Sequence, residues 1–119
     1  MKPLTVKKLT ALIVAALEEL KAFNIQALDV TSLTSITDVM IIASGRSNRQ
    51  VKAIADKVLE KLKEAGISTL GIEGEQEAEW ILVDAGDAVV HIMQPATRTY
   101  YQLEKLWDAG ELASNTTTV

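Results

Sequence analysis

Apolar residues return every three or four positions near the start of the chain, at Val6, Leu9, Leu12, Ile13, Ala16, Leu17, Leu20 and Phe23. That spacing predicts an amphipathic helix over residues 4–23, with Pro3 tolerated in its first turn and Asn24 as a left-handed stop. A short strand follows at 27–30, then a polar loop at 31–37. The unbroken apolar run inside 38–44 predicts a central strand covered on both faces. Ser47 and Gln50 form a capping box, and Val51, Ile54, Ala55, Val58, Leu59 and Leu62 carry a second helix to Ala65, where Gly66 ends it. Residues 67–72 read as a third strand.

Residues 73–94 organise the rest. They read as a hairpin turning at Asp84, Ala85, Gly86 and Asp87, led in by Glu73, Glu75, Glu77 and Glu79. Alternate strand residues share a face. Ile81 and Val83 therefore face a helix layer, while Trp80, Leu82 and Asp84 face the other way. An aromatic beside a carboxylate suits a face left open for a partner. A two-residue turn at Ala85-Gly86 would pair Leu82 with Val89 and Trp80 with His91. A turn with Gly86 as a bulge would shift the register by one and send His91 to the opposite face. Alanine's dislike of positive φ slightly favours the bulged form. Pro95 then opens a helix with Tyr100, Leu103, Leu106 and Trp107 on one stripe and Gly110 past its end.

The expected order is α-β-β-α-β-β-β-α, an α+β fold with one mixed five-stranded sheet and three helices. One domain spans residues 1–110, and 111–119 form a frayed tail. Three helices can cover one face of such a sheet well and two faces poorly.

Composition narrows the chemistry. The 119 residues contain no cysteine, so there is no thiol nucleophile, thiolate metal site or disulfide, and a reducing cytoplasm is the default. No stretch has the length and apolarity of a membrane span, and the first segment reads as an amphipathic helix rather than a signal peptide. The net charge of −4 argues against a nucleic-acid binder and suits a basic protein partner. The single histidine, His91, lies mid-strand among aliphatic residues and has no second histidine or cysteine with which to build a metal set. Nothing in the spacing sets Ser44 or Ser47 beside it as a nucleophile. Gly45 before the second helix lacks the pattern of a phosphate-binding loop, and capping accounts for Ser47. Asp84 and Asp87 bracket a turn, where aspartate is favoured anyway, instead of alternating along a strand as paired metal-binding carboxylates do.

Several segments in order carry a resemblance: ALDV at 27–30, ITDVMIIASG at 36–45, SNRQVKAIAD at 47–56, GIEG at 71–74, EWILVDAGD at 79–87, VHIMQ at 90–94 and LEKLW at 103–107. Over residues 5–108 the chain closely resembles the ribosomal silencing factor, or Iojap-like, family. The resemblance implies a sheet related to the nucleotidyltransferase fold without its catalytic carboxylates, and no cofactor. It implies binding to ribosomal protein fourteen of the large ribosomal subunit, which blocks subunit joining and represses translation when nutrients are scarce. It also implies a homodimer when free. By position, Trp80 belongs to the partner-binding surface, with Glu73, Gly74, Asp84 and Met93 on or near it. Ala85 stands where the family often has an aromatic, and Met93 where many members have phenylalanine. Two other classes remain in view, a nucleotidyltransferase-like enzyme and a large-subunit assembly factor without silencing activity.

Overall fold

The computed structural model describes residues 5–103 and residue 105. Its elements are α1 (Val6–Glu19), β1 (Phe23–Asp29), β2 (Val39–Ser44), α2 (Asn48–Glu64), β3 (Gly71–Glu73), β4 (Trp80–Asp84), β5 (Ala88–Met93) and α3 (Pro95–Tyr101). The strands form one mixed sheet in the order β1-β2-β5-β4-β3, in which only β2 and β5 are parallel. Element order, strand number and class are those expected from the sequence.

Helices α1 and α2 share one face. Leu9, Ile13 and Leu17 of α1 and Val51, Ile54, Val58 and Leu62 of α2 pack with Ile41, Ile81, Val83, Val90 and Ile92 of the sheet in the main core. The opposite face carries a smaller cluster of Val30, Met40, Ile42 and Met93, flanked by Leu28, Trp80 and Leu103. Helix α3 lies at one end of that second face. Among the described residues, two long helices thus cover one face, and the seven-residue α3 packs at one end of the other. β2 is buried on both faces as expected, although β5 occupies the middle of the sheet.

Several boundaries differ from the sequence reading. Helix α1 stops at Glu19, not Phe23. Lys21 takes the left-handed conformation (φ 63°), and Ala22 N–H donates to Leu17 O while Lys21 N–H donates to Glu18 O. That bonding closes the last turn without a glycine. Phe23 is released to begin β1, where it pairs with Ser44 and lies under the Arg46 guanidinium. Asn24 is left-handed too (φ 51°), but within β1 at a break in register. The strand expected at 67–72 shrinks to Gly71–Glu73 because Ile67 belongs to the cap of α2, its N–H donating to Leu62 O. Helix α3 ends at Tyr101, with Gln102 left-handed (φ 49°). Leu106, Trp107, Gly110 and the tail expected at 111–119 lie outside the described residues.

The hairpin register matches neither alternative. Asp84 pairs with Val89, Leu82 with His91 and Trp80 with Met93, because the two turn residues are Gly86 and Asp87. Gly86 takes the positive φ (88°) and leaves Ala85 paired with Ala88. The register thus moves by two residues, which preserves facing. His91 therefore lies on the Trp80 face, against the bulged form.

Candidate interaction surface

The surface is built on β4 and β5. Trp80, Leu82 and Asp84 point away from α1 and α2, across from Met93, His91 and Val89. The Trp80 indole N–H donates to His91 Nδ1 at 2.9 Å, and the two rings lie 5.8 Å apart. On its other side Trp80 meets Tyr101 of α3, with ring centroids 4.9 Å apart and planes tilted by 50°. Trp80 is consequently half-buried, where a face left open for a partner would have exposed it. The reason is α3, which folds back over this end of the sheet.

Arg98 holds α3 there. It is buried, and its Nη1 donates to Asn24 O at 2.6 Å and Ser44 Oγ at 2.9 Å, tying the helix to β1 and β2. A buried cation needs such partners. Nothing in the spacing of the sequence singled out Arg98. Tyr101 and Thr97 were missed as well. They sit four residues apart, hence on one side of α3, which is not the side of the apolar stripe expected through Tyr100. Tyr100 is instead 80% exposed, touching Tyr101 edge-on.

The structure gathers some of the expected site residues and separates others. Glu73, Gly74 and Trp80 line one groove of about 390 Å³, together with Glu77, Glu79, Leu82, Thr97 and Tyr101. Met93 is fully buried beneath Trp80 and supports the surface from below instead of forming part of it. Asp84 stands four residues along β4, roughly 13 Å away at strand spacing. Its Oδ1 accepts the Gly86 N–H at 2.9 Å, which is the turn role foreseen for it.

Gly74 sets the near wall. Its φ is +86°, and a Cβ there would lie 2.0 Å from the carbonyl oxygen of Trp80. Only glycine lets the acidic loop approach β4 so closely. The loop is held by Asn48 Nδ2 donating to Glu77 O (3.2 Å) and by Gln94, whose N–H donates to Glu79 O (3.0 Å) and whose Nε2 donates to Ala78 O (3.4 Å).

His91 is the buried titratable group of this surface. Burial pushes its pKa from 6.5 down to about 4, so the ring is neutral and can accept the Trp80 N–H at Nδ1. A depressed folded-state pKa gives stability that is fully present above pH 6.5 and lost as pH falls towards 4. The loss saturates below that value, because folded and unfolded forms are then both protonated. We expect up to about 3 kcal/mol to disappear across this window, at ~1.4 kcal/mol per pKa unit. Denaturant melts at several pH values on wild type and His91→Gln check this. The variant should lack that part of the pH slope, and identical slopes would refute it.

Among the described residues, no three His, Asp or Glu side chains stand together as a metal site. No described helix is long and apolar enough to cross a membrane.

Comparison with known proteins places the chain in a family. Residues 3–118 match the family described as "Ribosomal silencing factor during starvation". The chain belongs to the ribosomal silencing factor family. It is 52% identical over 102 residues to the ribosomal silencing factor of Chromobacterium violaceum, covering 86% of this chain and 84% of that one. A crystal structure of a Chromobacterium violaceum protein superimposes with a TM-score of 0.86 at 51% identity, over 87% of each chain. A more distant relative is the mouse protein named "Mitochondrial assembly of ribosomal large subunit protein 1", 35% identical over 99 residues, which are 81% of this chain and 43% of that protein.

Proposed function

We propose that this ribosomal silencing factor acts in the cytoplasm as a translational repressor. It binds the large ribosomal subunit through ribosomal protein fourteen and blocks joining of the small subunit under nutrient limitation. Family membership carries the ribosomal part of this reading, and the half-buried Trp80 on the sheet face opposite α1 and α2 would supply an anchor. The acidic loop beside it suits a basic ribosomal protein and would steer its approach. The free protein is proposed to be a homodimer, which sedimentation equilibrium would test.

A second reading draws on the name of the mouse relative, an assembly role on the large subunit without repression. Sedimentation with separated subunits, followed by a subunit-joining assay, distinguishes the two. Silencing requires binding to the large subunit alone and loss of joining. Binding with joining intact favours assembly.

The protein is proposed not to be an enzyme, because Asp84 serves its turn and lies apart from the groove. Asp84→Asn should leave large-subunit binding within about twofold of wild type, since an amide oxygen can still accept the Gly86 N–H. Nucleoside triphosphates with Mg²⁺ should not turn over. Nucleotide transfer that vanishes in Asp84→Asn would overturn this.

A further inference from the structure

We propose that the groove beside Trp80 receives one arginine side chain of a protein partner, with the guanidinium stacked on Tyr101 and Trp80 and met by the carboxylates around the rim. This rests on the reading that the face meets a ribosomal protein, and it names the chemistry that the face selects.

The floor is aromatic. Tyr101 and Trp80 lie 4.9 Å apart, and Tyr101 is 55% exposed. The Trp80 N–H is already committed to His91, which fixes the indole and leaves it to offer π surface rather than a donor. The rim is anionic. Glu73, Glu77 and Glu79 are exposed, line the groove, and have no cationic partner among the described residues. Cations elsewhere on this chain do find carboxylates, as Lys57 does with Glu19 and Glu60. The walls are built before any partner arrives, because Gly74, Asn48 and Gln94 fix the backbone of the acidic loop. Such preorganisation lowers the ordering cost of binding.

A flat guanidinium suits this site better than an ammonium. It stacks on aromatic faces and presents several N–H donors in a fixed fork towards carboxylates, whereas lysine offers a compact, strongly hydrated charge.

The test uses N-acetyl-arginine methylamide as probe, followed through the Trp80 indole N–H and Tyr101 ring signals in NMR spectra. Trp107→Phe assigns the indole. Saturable shifts are expected, with the uncharged citrulline analogue weaker by about tenfold. Glu77→Gln with Glu79→Gln should weaken binding, Tyr101→Leu should abolish it, and Tyr101→Phe should restore it because the ring is kept. Equal shifts from arginine and citrulline, indifference to Tyr101→Leu, or tighter binding of the lysine analogue would overturn the assignment. Sedimentation separates this idea from its parent reading. No arginine uptake by the wild type, with large-subunit binding that survives Tyr101→Leu, refutes the groove and spares the ribosomal reading. Arginine uptake without large-subunit binding supports the groove and refutes that reading.

Discussion

Trp80→Ala is expected to weaken binding to the large subunit by roughly 30- to 1000-fold, the ~2–4 kcal/mol that a central interface tryptophan carries. The same change should destabilise the free protein by about 2–4 kcal/mol. The indole packs on Tyr101, covers Met93 and donates to His91. Its removal leaves the buried His91 Nδ1 without its donor and strips the aromatic contact from α3. Each kcal/mol lowers the melting temperature of a domain this size by about 4 °C. Binding must therefore be measured well below the transition of the variant. Trp80→Phe separates the contributions, since it keeps a ring but loses the N–H. It should recover most of the binding and remain about 1–2 kcal/mol less stable than wild type. An alanine variant that melts like wild type would refute the aromatic stack. One that is folded and binds normally would remove Trp80 as the anchor.

Gly74→Ala should be the most damaging single change to the fold near the surface, at about 3–5 kcal/mol. Two costs combine. A positive φ near 86° strains any L-residue, and the added Cβ would sit 2.0 Å from the Trp80 carbonyl, a backbone atom with no rotamer to yield. The loop must move away from β4, which carries Glu73, Glu77 and Glu79 off the groove. Thermal melting should show the loss, and hydrogen exchange should show it concentrated at β3 and the start of β4. A variant as stable as wild type would mean that the loop can shift freely. Gly86→Ala offers the control. It also has positive φ (88°), but its new Cβ would meet only the Leu70 side chain at 3.7 Å. It should cost about 1 kcal/mol.

Local pattern fixed most of the architecture. The apolar spacing of α1 and α2, the cap at Ser47, the stop at Gly66 and the apolar run of β2 all depend on neighbours within one or two turns of chain. The same holds for the alternation that sets Ile81 and Val83 against the helices and Trp80 away from them. The ordered segments from 27–30 to 103–107 carried the family as well. Gly86 and the flanking aspartates of the β4–β5 hairpin announced a turn, but not which two residues would occupy it. That choice depends on pairing along both strands, and it decided that His91 would meet Trp80.

Tertiary structure alone decided how the site is assembled. Sequence pattern treats a strand face as open or covered; it cannot say that a seven-residue helix will fold back over one end of it. The placement of α3 depends on Arg98 reaching Asn24 and Ser44, residues 74 and 54 positions earlier. That contact buries Met93, half-buries Trp80 and brings Tyr101 into the groove. Glu73 and Gly74 join Trp80 because β3 pairs with β4, while Asp84, on the same strand as Trp80, stays with the turn. Periodicity reports which way a side chain points, since that is set by the dihedrals of its own residue. Which side chains converge is set by contacts between distant parts of the chain, which no local window contains.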